Sequence, residues 1–517
     1  ITFPTAMIFN SLTYAIFFIA VVLLHFTRTA GKTARRQNLL LLAASYFFYG
    51  WWDWRFLGLI IFSTALTYAC ANTTTKRRLW CTIGISANVA TLVLFKYFNF
   101  FGEGLAKLLG GFGWTVDWVT VDILLPVGIS FYTFQAIGYL ADCSRRRIAP
   151  CTSPVDFALF ISYFPQLVAG PIERASDMLP RFAATRRWNP ARATEGLRLI
   201  LWGIFKKVAV ADAAGIFVDE YWPDGSVTYG PLKLLETAIF FSVQIYCDFS
   251  GYCDIALGSS RILGIDLSRN FDRPYFSRSV LEFWHRWHIS LMRWFTDYIY
   301  IPLGGSRRGT IRTATNIAAV FILSGLWHGA SITFVTWGVY WAIIYILARF
   351  LFNAAGYRRY PLPPERSDAL RISVTMSFVI IGWIIFRSDD AALCADHILR
   401  LSPILAGTCL IAAAIASRHR ILRLATYTLL SVAICAAVVI LMRGVHNPPI
   451  TYFFLIPLTL TFIAEWRTRA ADGGGNPYAS PFPLPRHKAA RMALYTAIFY
   501  FILTAPASDA AFIYFQF

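Results

Sequence analysis

The sequence predicts an all-α protein, a polytopic transmembrane helical bundle with re-entrant or broken helices in its middle. Three observations carry that expectation. Of 517 residues, 57% are hydrophobic and only 15% charged, whereas a soluble globular chain carries about 25% charged residues. Mean hydropathy is +0.53. Apolar runs near the length of about 20 residues that a helix needs to cross a bilayer recur along the chain. Too few polar residues remain to cover a soluble protein of this size, and disorder, collagen and coiled coil fail on the same composition.

Crossings are expected at roughly 8–26, 38–52, 56–72, 79–97 and 119–140, then at 195–217 and 232–249. After these come 314–329, 332–352, 370–387, 400–416, 422–442, 449–465 and 490–505. The shorter runs are expected to be tilted, re-entrant or buried. The first is not an ordinary leader, because its basic residues follow the apolar stretch instead of preceding it.

The charge balance is 47 − 28 = +19. In a soluble chain that would suggest nucleic acid. Here the cations stand in short clusters between apolar runs, as the positive-inside bias of cytoplasmic loops predicts, and no nucleic-acid partner is expected. Arg28, Lys32, Arg35 and Arg36 follow the first run, Lys76–Arg78 the third and Arg145–Arg147 the fifth. Arg486, Lys488 and Arg491 precede the last. With these clusters in the cytoplasm, both termini fall outside and the number of crossings is even. Nine cysteines form no CxxC pair. Cys70, Cys81, Cys247, Cys253, Cys409 and Cys435 lie in or beside apolar runs as small hydrophobes, and no disulfide framework is implied.

Residues 244–309 break the pattern. They hold Asp248, Asp254, Asp266, Asp272, Glu282, His285, His288 and Asp297 among aromatics and glycines. An amphipathic loop lying on the membrane is the plain alternative. Trp284, Trp287, Trp294 and Phe295 are too bulky for a casual linker, so broken helices lining an enclosed cavity are expected instead. Asp248 and Asp254 are read as stabilising helix ends. His328 stands alone in the apolar segment FILSGLWHGASITFVTWG, and an ionisable group inside a membrane segment points to function. Desolvation keeps such an imidazole neutral and able to act as a base. Gly325 and Gly329 beside it would admit a close backbone or a ligand. No HExxH or cysteine cluster accompanies His288 and His328, so no metal is expected, and no GxSxG, P-loop or GxGxxG adds a soluble catalytic domain. The chemistry left open is proton abstraction from a hydroxyl, or proton-coupled transport.

QIYCDFSGYCDIALG, then NFDRPYFSRSVLEFWHRWHISLMRWFTDYIYIPLGGSRRG, then LSGLWHGASITFVTWG resemble the membrane-bound O-acyltransferase family. The likeness is to its bacterial branch of alginate O-acetylation and teichoic-acid D-alanylation membrane proteins. LLPVGISFYTFQAIGYLADCSRR and FPQLVAGPIERASDMLPRF look like the same branch. The resemblance implies a core at 7–350, further transmembrane helices at 351–505 and an extracytoplasmic tail at 506–517. It implies a central tunnel with His328 catalytic and His288 as the second signature residue. Asn270 and Asp297 are candidates for orienting the histidines, and Trp327 for lining the substrate site. His285 departs from the arginine usual at its place and is given no catalytic role. The tail FIYFQF resembles the FxYFxF motif of a small partner in D-alanylation, which implies that Tyr514 carries the acyl group. The implied donor is acetyl-CoA, with no bound cofactor. The implied partners are the lipid bilayer of the bacterial cytoplasmic (inner) membrane and an extracytoplasmic SGNH-type transferase, a Ser-dependent hydrolase-like protein. A transporter, or an acyltransferase acting on protein or lipid, is the competing reading.

Overall fold

A computed structural model describes residues 7–27, 33–112, 125–222, 229–354, 368–388, 390–401, 448–468 and 487–506, together with Trp114, Gly407, Tyr478, Pro485 and Phe512. The regular elements among the described residues are all helices, with no strand. The expected crossings at 400–416 and 422–442 lie almost wholly outside them.

The first helices are α1 (Leu12–His25), α2 (Ala34–Gly50), α3 (Trp54–Ala71) and α4 (Arg77–Gly111). The side chains of Ser11, Thr33 and Asp53 accept backbone N–H bonds at the starts of α1, α2 and α3, giving orphan donors a partner. Then come α5 (Ile129–Ser144), α6 (Pro154–Ser162), α7 (Phe164–Leu167), α8 (Ala175–Ala183) and α9 (Pro190–Ile204). Pro154 and Pro190 open their helices behind the capping side chains of Ser153 and Asn189. Among the described residues, four helical stretches are long and apolar enough to cross a membrane: Trp54–Ala71, Arg77–Gly111, Ile332–Leu351 and Leu370–Arg387.

After α9 the chain widens into a π-helical segment, Phe205–Asp212, and continues as α10 (Ala213–Tyr221) and α11 (Pro231–Ile262). The broken-helix expectation for 244–309 is therefore corrected in its first part: residues 244–262 complete one unbroken 32-residue helix. Asp248 and Asp254 are interior to α11 and cap no helix end. Each meets a cation from the π segment. Lys206 pairs with Asp254 at 2.7 Å, and Lys207 with Asp248 at 2.7 Å and Asp212 at 2.6 Å. A buried charge is tolerable only when paired in this way.

Beyond α11 the expected breaks appear. A 3-10 turn at Pro274–Phe276 leads to the short helices α12 (Val280–Arg286) and α13 (Ile289–Phe295), then to a π turn at Thr296–Tyr300. Trp284, Trp287, Trp294 and Phe295 are all buried, so this stretch belongs to the interior and not to a surface loop. The rest is α14 (Thr310–His328), α15 (Ile332–Ala354), α16 (Asp368–Arg387), α17 (Pro448–Thr468) and α18 (Lys488–Thr504).

The basic ends gather together. Lys76, Arg77, Arg78 and Arg146 line one groove, so the clusters after α3 and α5 share a side, as their alternation predicts.

Candidate active site

α14 ends at His328, and the last carbonyls of a helix have no partner within it. Here α4 supplies the partners. Tyr97 Oη donates to Leu326 O at 2.5 Å, and Lys96 Nζ to Trp327 O at 2.5 Å and His328 O at 3.0 Å. A cation at a helix C-terminus also meets the negative end of the helix dipole. Gly325 and Gly329 do what small residues permit: a Cβ at Gly325 would meet the Phe334 carbonyl, and one at Gly329 the Phe334 ring. α15 can therefore close tightly behind the histidine.

The His328 ring is walled by aromatics. Its centroid lies 4.9 Å from Trp327, 5.1 Å from Trp337 and 5.0 Å from Phe386. Phe386 is on α16, beyond the expected core at 7–350. Nothing in the apolar run of α16 marks it as part of a site, although a crossing is expected there at 370–387.

His288 occupies the kink between α12 and α13 with φ +45°, one of four non-glycine residues with positive φ among those described. Such a conformation persists only where the surroundings enforce it. Asn270 is one enforcer: its carbonyl oxygen accepts from Ile289 N at 2.9 Å, and its Oδ1 from Ser290 N at 3.2 Å and Ser290 Oγ at 2.6 Å. Glu282, fully buried, is another. It holds Arg278 and Arg286 across α12, at 3.2 and 2.6 Å. The buried His288 ring lies 4.9 Å from Phe249 and 6.0 Å from Trp327.

Trp327 thus stands between the two signature histidines and contacts both rings. Asn270 acts on the turn that carries His288. Asp297 is held elsewhere: Arg174 takes its carboxylate and Arg145 bonds its carbonyl at 3.3 Å, at the basic end of α5. His285 is exposed on α12. Tyr514 lies outside the described residues. Among those described, no cluster of His, Cys, Asp and Glu is arranged to hold a metal ion.

A partly open cavity of about 80 Å³ reaches His328, lined by Lys96, Gly128, Ser130, Phe131, Val168 and Trp327 among others. It is far from the basic ends. From Arg77 to Lys96 is 96 − 77 = 19 residues, and from Thr310 to His328 is 328 − 310 = 18. At 1.5 Å per residue both reach about 28 Å along their helices. A second small cavity, beside Ser290, is lined by Arg174, Arg269, Ser290 and Arg293 among others. A buried imidazole in the wall of a partly open cavity is suited to taking a proton from a hydroxyl that enters that cavity.

Sequence comparison gives the family. The profile of the membrane-bound O-acyltransferase family matches residues 47–386, more than half of the chain, and its last matched residue is Phe386 of the histidine wall. A probable alginate O-acetylase of Pseudomonas aeruginosa is 37% identical over 393 residues, covering 74% of this chain and 72% of that protein. A peptidoglycan O-acetyltransferase of Helicobacter pylori is 33% identical over 374 residues, covering 66% and 69%. A teichoic acid D-alanyltransferase of Bacillus subtilis is 28% identical over 279 residues, covering 51% and 69%. The chain belongs to the membrane-bound O-acyltransferase family and is a multi-pass membrane O-acyltransferase.

Proposed function

We propose that this enzyme moves an acetyl group from cytosolic acetyl-CoA across the bacterial cytoplasmic membrane for O-acetylation of an extracytoplasmic polysaccharide. The observation that carries this reading is His328, buried at the end of α14 on the floor of a cavity about 28 Å of helix away from the basic ends. Those ends belong in the cytosol by the positive-inside bias. The cavity has room for several waters, at about 10–15 Å³ each, or for a short acyl group. The descriptions of the alginate and peptidoglycan relatives support a glycan as the final acceptor.

The donor enters from the side of Arg174, Arg269 and Arg293, where guanidinium groups can meet its phosphates. His328 takes the phenolic proton of Tyr514, and the phenolate oxygen attacks the thioester carbonyl. The tetrahedral intermediate collapses with departure of the thiolate, which takes the proton from His328. An acetyl-tyrosine ester and the CoA thiol result. His288 orients the acyl group or donates to the oxyanion. An SGNH-type extracytoplasmic transferase then moves the acetyl group to a glycan hydroxyl and restores the phenol. Burial of Phe512, two positions before Tyr514, supports a tail that enters the protein.

Mass spectrometry of the protein incubated with isotopically labelled acetyl-CoA tests this. Label should appear on the C-terminal peptide and fall by about 100-fold or more in His328→Ala, the scale of a lost general base. Undiminished labelling in that variant would remove His328 from the chemistry.

A further inference from the structure

Phe512 is 1% exposed, although it lies beyond α18, the last helix among the described residues. Its ring stands edge-on to Tyr252 of α11 at 4.7 Å. Lys207 Nζ lies over its face at 4.6 Å. The same ammonium lies 2.6 Å from the Asp212 carboxylate and 2.7 Å from that of Asp248, so its charge is paired. It also lies over the ring, whose π surface attracts a cation. An aliphatic side chain of similar size would fill the space without that attraction.

The position is close to the catalytic groups. Phe249 and Tyr252 are three residues apart on α11 and so adjoin on its surface. Phe249 touches His288, and Tyr252 touches Phe512.

We propose that Lys207 and Tyr252 form an aromatic socket that captures Phe512 and so positions the C-terminal segment for acyl transfer, an inference that rests on the relay through Tyr514. Lys207, Tyr252 and Phe512 are positioning residues. They touch no reacting atom and set where the next residues of the tail are presented. The pairing of Lys207 with two carboxylates has a role in this arrangement, since it holds the buried cation beside the ring.

Hydrogen–deuterium exchange on the full-length protein, read on the C-terminal peptide, tests capture independently of chemistry. Exchange should quicken about tenfold in Phe512→Leu and in Tyr252→Leu and stay within about twofold of wild type in Phe512→Trp, which restores the π face. Tyr514→Phe should keep wild-type protection while losing label from acetyl-CoA. Protection in Phe512→Leu equal to wild type would overturn the socket. If the wild-type tail takes no label while the exchange pattern holds, the relay falls and the socket stands. If label reaches the tail at the wild-type rate in Phe512→Leu, capture does not position it.

Discussion

The carbonyls of Leu326, Trp327 and His328 would be orphans at the end of α14, and two neighbouring side chains of α4 satisfy all three. His328 therefore owes its position to Lys96 and Tyr97. Replacing Lys96 by Met keeps the apolar stem and removes the donor. The expected cost is about 1–2 kcal/mol of stability, the scale of a lost cation at a partly buried helix C-terminus. The turnover number should fall about tenfold with little change in KM, because the histidine shifts and donor binding does not. Thermal unfolding together with transfer kinetics would check this, and an unchanged turnover number would refute it. The two signature histidines are legible in the sequence because each stands inside a specific motif. Lys96, alone in LVLFKYFNF, obeys the same rule for intramembrane charge. What the sequence does not reveal is its purpose, since the carbonyls it meets lie 231 and 232 positions away. Asn270 is a milder case. Its place near His288 is readable, but its action on the backbone of Ile289 and Ser290 is a matter of fold.

At the level of elements, α9 and α11 pack through two glycine pairs. A Cβ on Gly203 would lie 2.5 Å from the Gly251 carbonyl oxygen, and one on Gly196 2.5 Å from that of Gly258. This seam lets the π segment after α9 come near enough to α11 for both Lys–Asp pairs to form. Gly203→Leu should therefore destabilise by about 3 kcal/mol or more through overpacking, and should do so along the whole seam. A sharp fall in melting temperature in detergent is the expected reading, and a wild-type melt would refute it. The polarity of 244–262 misleads when α11 is read alone. Asp248 is buried and Asp254 half-buried, each paired with a lysine of the neighbouring π segment, and pairing between helices leaves no local sequence signal. Where the apolar run is continuous, as in α3, α15 and α16, the helices match the expected runs to within a few residues, whereas α4 continues to Gly111, 14 residues past the expected end at 97.

For the whole molecule, the gathering of basic ends is the feature that composition anticipates best, since Lys76–Arg78 and Arg146 do share a groove. The loop Gly170–Arg174, outside the spanning helices, is tied to the 263–270 loop by Glu173, whose carboxylate accepts from Ser268. Burial pushes this carboxyl up to about 7, although the bonds from Ser268 and the charge of Arg181 pull the other way. In the unfolded chain the group ionises near 4.5. Its contribution to stability is therefore full below that value and is lost as pH rises through about 7, at about 1.4 kcal/mol per pH unit. Melting temperatures at pH 5 and pH 7.5 should differ more for wild type than for Glu173→Gln, and parallel profiles would refute the assignment.

Phe512 belongs to the same polypeptide as the socket it fills, only 512 − 504 = 8 residues past the end of α18. A tether that short sets an effective concentration in the millimolar range, whatever the abundance of the protein in the membrane. Occupancy of the socket is thus independent of expression level and of encounter between separate molecules. Under the proposed relay, Tyr514 would be supplied in strict one-to-one ratio with its enzyme, which a carrier on a separate chain would have to achieve through matched synthesis.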